Sequence, residues 1–245
     1  MAVEVATWPP VDHVDLDGWT LGLSRGFTRR ANSVVPRDAP PDVDRALDGV
    51  EAIYARHGLP AVVRVCSAAR PDGLDDVLAA RGYDRVAPTA VMVAALDPGL
   101  RLPPVPEGLA VRVEDEPSSA WLAGWLEVKT ATAGGVDLDS AERILRGSPA
   151  AYVSAADAEG LAAVVRVAFA AGWAGISSLT VQPRARRRGL GRLLTLAALQ
   201  HAAGRGAQAA FLQVEESNTP AVALYQGLGF VVADRYHYRH RPSQG

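Results

Sequence analysis

The spacing of apolar and polar residues predicts alternating strands and helices from residue 109 onward. The segment LAVRV at 109–113 alternates with a period of two, as a half-buried strand does. Further strands are predicted over 151–155, 161–170, 175–181, 209–214 and 230–238. Helices are predicted to begin near Ser118 and at Asp139, where Glu142 forms a capping pair with Asp139. Two more helices are predicted over 189–205 and 220–228, and Thr219 is expected to cap the second of these. This order predicts a mixed sheet with helices packed on it.

An earlier part of the chain repeats the end of this order. A strand is predicted over 61–65, a helix from Asp72 through Leu78, and a strand from Gly82 to Leu96, all preceded by a helix over about 47–57. The stretch 97–108 contains four prolines and two glycines, and it is predicted to be a linker. We therefore predict an α/β fold of the α+β type, with a mixed, mostly antiparallel central sheet and flanking helices. Two tandem units are expected, 10–96 and 109–245, the first a degenerate copy.

Composition narrows the functional classes. The formal net charge is −2, so the chain has no general attraction to nucleic acid or anionic membrane. Cys66 is the single cysteine, which excludes an intramolecular disulfide and favours a reducing compartment. Neither a signal peptide nor a membrane span is recognisable, and His237 and His240 lack the further ligands of a metal site. We expect a cytoplasmic protein that binds no metal, nucleic acid or membrane.

One segment has the features of a phosphate-binding loop. The predicted strand 175–181 ends before Pro183, and Gly189 and Gly191 open the following helix among several arginines. A helix start presents unpaired N–H groups and a partial positive charge, and glycine lets a diphosphate approach the backbone. The nucleoside-triphosphate and dinucleotide glycine motifs are absent, since position 194 is Leu. A helix start with an exposed basic face, or a nucleic-acid patch, is the alternative.

Two motifs in this region resemble a known family. Arg186-x-x-Gly189-x-Gly191 after Leu179-x-Val181 looks like the acetyl-CoA signature of the GCN5-related N-acetyltransferases. About thirty residues later, the pattern from Asn218 through Leu224-Tyr225 to Gly229-Phe230 is similar to the second motif of that family. The resemblance covers about 109–245, and the first unit resembles only a degenerate copy.

The resemblance implies acetyl-CoA as cofactor and assigns roles to residues. Backbone groups of the stretch Leu179-Thr180-Val181 would hydrogen-bond the pantetheine arm, Asn218 would contact that arm or help to separate two strands, and Tyr225 would protonate the leaving thiolate. Amides near the diphosphate would come from the loop residues Arg186, Arg187, Arg188, Gly189, Leu190, Gly191 and Arg192. A phenol suits the proton-donating step because it stays protonated at neutral pH.

The general base is less well determined. Many relatives have a glutamate where this chain has Ser177 and Ser178. Glu215 is taken as the candidate base, with Glu216, Glu127 and a water chain as alternatives. Trp121 and Trp125 are four residues apart, a spacing typical of a core stripe, although one of them could contact substrate.

The first unit is expected to lack its own site. Leu78 stands where Tyr225 would align, and Asp42, Asp44 and Asp48 would repel a diphosphate at the helix start. One cofactor per chain is therefore predicted. The polar stretch 26–33 either shapes the acceptor site or forms structural hydrogen bonds.

The predicted function is acetyl transfer from acetyl-CoA to a primary amine, by direct attack in a ternary complex. The acceptor is a small molecule or peptide, and the chain is a monomer or a homodimer. The alternatives are a non-catalytic acyl-CoA sensor and a nucleic-acid-binding protein that uses the arginine cluster.

Overall fold

A computed structural model describes residues 2–133 and 137–241, without the side chains of 129–133. The strands are β1 (Asp12–Leu16), β2 (Trp19–Leu23), β3 (Val34–Pro36), β4 (Ala61–Cys66), β5 (Asp84–Ala95), β6 (Ala110–Glu114), β7 (Ala150–Asp157), β8 (Gly160–Ala170), β9 (Trp173–Val181), β10 (Ala209–Glu215) and β11 (Val231–Arg241). The helices are α1 (Ala2–Thr7), α2 (Val43–Arg56), α3 (Leu74–Ala80), α4 (Ser119–Ala133), α5 (Leu138–Arg146), α6 (Leu190–Gly204) and α7 (Thr219–Gln226). The predicted strands and helices are confirmed within a few residues, while α1, β1, β2 and β3 were not predicted.

The strands form one 11-stranded sheet in which the two halves of the chain interlock. The order is β1-β2-β3-β4-β11-β5-β10-β9-β8-β7-β6, so β11 lies between β4 and β5, and β5 lies between β10 and β11. Both contacts of β5 are antiparallel, whereas β9 and β10 are parallel. The mixed, mostly antiparallel sheet is confirmed. The division into 10–96 and 109–245 stays a prediction, since each half donates its last strand to the other.

Helix caps differ in part from the sequence expectations. Asp137, and not Asp139, caps α5 by accepting a hydrogen bond from the Ser140 amide. Asn218, and not Thr219, caps α7 through the Ala221 amide, because Thr219 already lies inside the helix. Gly73, rather than Asp72, precedes α3, and its φ of 77° is one that glycine adopts without strain.

The sheet separates two layers of helices. The larger core packs α6 and α7 against one face, with Leu194, Ala198 and Phe230 buried between Val165 of β8 and Leu212 of β10. The opposite face is covered near β7 and β8 by α4, α5 and α1, through a cluster that includes Trp121, Trp125 and Tyr152. The ends of β9 and β10 lie between these two helix layers.

In the N-terminal half, hydrogen bonds bridge the gap beyond the pairing of β3 and β4. β3 and β4 are parallel and pair at Val34 and Val63, as β9 and β10 do in the other half. The Arg70 amide donates to Pro36 O, and the buried Trp19 indole donates to Asp38 O and Arg70 O across this gap. The acidic residues in the first half of α2 form ion pairs within the protein: Arg81 pairs with Asp44, Asp48 and Glu51.

Within residues 2–133 and 137–241, no helix has the length and apolar run that a membrane span would need. Over the same ranges, no His, Cys, Asp and Glu side chains cluster in a way that could hold a metal ion.

Candidate functional site

The site begins where β9 and β10 separate. Their parallel pairing runs from Trp173 and Ala209 to Ile176 and Leu212, and among the described residues no pair continues beyond it, although β9 extends to Val181 and β10 to Glu215. A bulge at this point gives Ser178 a φ of +58° and shifts the register of β9 against β8. The two strands therefore form a cleft with a free strand edge on each side.

The free edge of β9 presents the backbone groups of Leu179 and Val181. Thr180 pairs with Val164, and the Gln182 amide donates to Ala162 O, so these alternate residues bond to β8. Because strand residues alternate in hydrogen-bonding direction, Leu179 and Val181 direct their N–H and C=O groups away from β8 and into the cleft. Val181 O accepts a 3.3 Å hydrogen bond from Arg186 Nε. An extended polyamide arm could add to this edge as a strand does.

Two serine hydroxyls at the narrow end of the cleft lack partners. Ser177 Oγ and Ser178 Oγ are buried and have no hydrogen-bond partner among the described residues. Leaving a buried hydroxyl unpaired costs about 1–3 kcal/mol. The unpaired hydroxyls and the free β9 edge therefore fit a polar ligand such as the pantetheine thioester of acetyl-CoA.

The glycine loop also fits such a ligand. Gly189 precedes α6 with a φ of 77° and has nothing within 4 Å of a Cβ built on it, so the space beside it is open. Arg187 also has a positive φ, 62°, which turns the loop sharply just before α6. No side chain caps α6, so its first N–H groups face this open space. The loop thus has the geometry of an anion site.

Most of the loop arginines contact the protein itself. Arg184 and Arg188 each place Nη1 3.0 Å from Asp157, and hydrogen bonds from Arg184 and Arg188 hold the pKa of that carboxyl at about 2, well below its usual value. Arg192 Nη1 donates to Gly227 O over 2.9 Å, which ties α6 to the end of α7. Arg187 is exposed and has no ion pair within the described part of the chain. Backbone amides, rather than most of these guanidinium groups, are therefore available to a diphosphate.

Tyr225 lies on α7 beside the cleft. Its side chain is buried, its ring meets Phe230 edge-on at 5.9 Å, and burial raises its pKa to about 12. Its Oη has no protein hydrogen-bond partner within residues 2–133 and 137–241. The phenol is therefore protonated at neutral pH and free to donate. The Asn218 side chain instead holds the start of α7.

The candidate bases lie on the other side of β10. Glu215 ends β10, is half exposed, and lies 3.5 Å from Arg29 Nη1. Glu216 pairs with Arg235 at 2.9 Å. Trp121 and Trp125 are both fully buried, as the core spacing predicts, and contact of one of them with substrate stays a prediction.

The polar stretch 26–33 forms structural hydrogen bonds and also reaches the other half of the chain, and its role in shaping an acceptor site stays a prediction. The buried Asn32 accepts from the amides of Ser24 and Gly26 and donates to Thr28 O, which fixes the turn. That turn carries Arg29 to Glu215, across the two halves of the chain. No local sequence pattern indicates that Arg29 is a neighbour of Glu215, because only the interlocked sheet brings them together.

Comparison with known proteins agrees with this geometry. Residues 2–239 match the family described as "Probable histone acetyltransferase Rv0428c C-terminal". The chain is 30% identical over 242 residues to "Uncharacterized N-acetyltransferase YobR" of Bacillus subtilis, covering 96% of this chain and 94% of that protein. It is 28% identical over 242 residues to "Probable histone acetyltransferase Rv0428c" of Mycobacterium tuberculosis, covering 98% of this chain and 71% of the relative.

A shorter match and a solved structure point the same way. A segment of 54 residues, 22% of this chain, is 56% identical to 18% of "Mycothiol acetyltransferase" of Nocardioides sp.. The fold resembles a GCN5-related N-acetyltransferase from Kribbella flavida with a TM-score of 0.69 and 22% identity, covering 98% of this chain and 92% of that one. The chain therefore belongs to the GCN5-related N-acetyltransferases, in the family of the Rv0428c C-terminal region, and is an acetyltransferase.

Proposed function

We propose that this chain transfers the acetyl group of acetyl-CoA to a primary amine by direct attack in a ternary complex. The observation that carries the proposal is the cleft between β9 and β10, with a free strand edge, two unpaired buried hydroxyls and a protonated phenol around it. When bound there, acetyl-CoA supplies an activated acetyl thioester. Residues 186–192 would hold its diphosphate, and Leu179, Thr180 and Val181 its pantetheine arm.

The chain's own groups suit the proton movements of this reaction. As the carbon–nitrogen bond forms and the carbon–sulfur bond breaks, the amine must lose a proton and the sulfur must gain one. Tyr225 holds a proton at Oη with no competing protein partner, so it is the proposed donor to sulfur. Glu215 is the proposed acceptor of the amine proton, because it is half exposed on the side of β10 opposite α7.

The position of Asn218 is compatible with an indirect role. By capping α7 it fixes the first turn of the helix that carries Tyr225. We propose that Asn218 contributes to cofactor binding through the position of α7.

Free thiol release with a panel of primary amines, together with mass spectrometry of the amine product, tests the proposal. Turnover that depends on acetyl-CoA and yields an amine heavier by one acetyl group is the expected result. Acetyl-CoA binding without turnover on any amine or peptide would instead indicate an acyl-CoA sensor. Binding of nucleic acid in competition with acetyl-CoA would indicate that the arginines serve another ligand.

A further inference from the structure

The cleft has an excess of positive charge on the sheet face opposite α6 and α7. Two arginines near it are neutralised: Arg29 Nη1 lies 3.5 Å from Glu215 Oε1, and Arg64 Nη2 lies 2.5 Å from Glu4 Oε2. Arg30 and Arg166 have no carboxylate partner among the described residues. Their guanidinium carbons instead lie 5.1 and 5.6 Å from the ring centre of Trp8.

Arg166 is a buried cation that carbonyl groups stabilise. It is 0% exposed, and it donates to Leu145 O, Thr7 O and Ser148 Oγ. Its Cα pairs with that of Ser177 across β8 and β9, so Arg166 belongs to the strand that borders the cleft. Burial lowers the pKa of Arg166, and the nearby charge of Arg30 lowers it further.

The position of Arg30 follows from its neighbours. The residue before it, Arg29, reaches Glu215 at the end of β10, and the Arg30 guanidinium shares the ring of Trp8 with Arg166 of β8. In the sheet, β9 lies between β8 and β10. Arg30 therefore belongs to the same face of the sheet as Arg166 and Glu215, which border the point where β9 and β10 separate. It is only partly buried.

The same face also carries unpaired donor groups. Ser177 and Gln213 are the residues just beyond the last β9–β10 pair, and their side chains point away from α6 because those of Ile176 and Leu212 point toward it. Gln213 Oε1 accepts from Tyr236 at 3.3 Å, which leaves Gln213 Nε2 buried without a partner, like Ser177 Oγ. Donors and unneutralised charge together favour a ligand with anionic oxygens.

We propose that Arg30 binds the carboxylate of the acceptor, and that the acceptor carries both a primary amine and a carboxylate, as an amino acid does. This inference rests on the proposed function, because it assigns the substrate class of the same cleft. Glu215, at the end of β10 on the same face as Gln213, is placed to meet the ammonium end of such a molecule. Arg30 is held for this role by the turn that Asn32 fixes, in which Asn32 donates to Thr28 O.

Acetyl transfer to three matched acceptors, namely alanine, alaninamide and isopropylamine, tests the proposal. The wild-type chain is expected to prefer alanine to alaninamide in kcat/KM by about 10- to 100-fold, the range for hydrogen bonds to a charged group. Arg30→Met is expected to remove this preference, chiefly by raising KM for alanine, and Arg30→Lys to keep part of it. Arg25→Met is the matched control, because Arg25 precedes the same turn but pairs with Asp137 and Asp139 at the start of α5.

The outcomes separate the two proposals. Acetyl-CoA affinity and the melting temperature of each variant establish that folding and cofactor binding are intact. A wild-type preference for alaninamide or isopropylamine, or a preference for alanine that Arg30→Met leaves unchanged, would overturn the role of Arg30 while the acetyltransferase function stands. Acetyl-CoA binding without turnover on any of the three or on the wider amine panel would overturn the proposed function, and this inference with it.

Discussion

The substitution Gly191→Ala is expected to separate folding from cofactor binding. Gly191 is the second residue of α6, and a Cβ there would lie 3.4 Å from Leu224 Cδ2 and 3.8 Å from Leu179 Cδ2, both ordinary van der Waals distances. The methyl group therefore fits the folded chain without displacing a neighbour. Alanine is favoured over glycine within a helix by about 0.5–1 kcal/mol, so the free energy of unfolding is expected to stay equal or to rise by up to that amount.

Binding is expected to change in the opposite direction. The methyl would lie between Leu179 of β9 and Leu224 of α7, the elements on either side of the proposed cofactor path, and beside the first free amides of α6. Loss of close approach to those amides should cost about 1.5–3 kcal/mol of charge-assisted hydrogen bonding, which is roughly a 10- to 100-fold rise in the Kd for acetyl-CoA.

Urea unfolding and titration calorimetry measure the two effects in one preparation. Gly204→Ala is the matched control, because Gly204 ends the same helix and has nothing within 4 Å of its built Cβ. That variant should bind acetyl-CoA as the wild type does. If Gly191→Ala also binds as tightly as the wild type, the diphosphate does not approach the start of α6 and the cofactor placement is refuted.

Three further predictions concern the proposed proton donor Tyr225, the gap between β3 and β4, and the interlocked sheet. Tyr225→Phe should lower kcat by about 10²- to 10⁴-fold with the Kd for acetyl-CoA unchanged. Burial raises the pKa of Tyr225 to about 12, so its proton is present below that pH. A profile of wild-type kcat against pH should therefore show no loss from this group near pH 10, the usual pKa of tyrosine. Calorimetry should give one acetyl-CoA per chain, since the Arg70 amide closes the β3–β4 gap onto Pro36 O, and a stoichiometry near two would contradict this. A fragment of residues 109–245 should not fold alone, because it lacks β5, the strand that lies between β10 and β11. A native-like circular dichroism spectrum and a cooperative melt of the fragment would contradict this prediction.

The local chemistry of the cofactor site could be predicted from the sequence because it depends on short-range features. Gly189 with its positive φ follows shortly after the strand that ends at Val181, and the helix that carries Tyr225 comes one helix and one strand later. Their order and spacing are sufficient to indicate a strand, a phosphate-binding turn and a helix. The local differences between prediction and structure are small: Asn218 caps α7, where Thr219 was predicted to do so.

The acceptor side was decided by tertiary structure alone. Arg29 and Glu215 are separated by most of the chain, and they meet only because each half of the chain contributes its last strand to the other half of the sheet. A hydrophobic pattern specifies which face of a strand is buried, but it does not specify which strand lies beside it, since any strand with matching alternation can pair there. The sequence by itself therefore determined the family motifs and the proposed proton donor. The interlocked sheet determined which charges lie beside the cleft, because that depends on strand order.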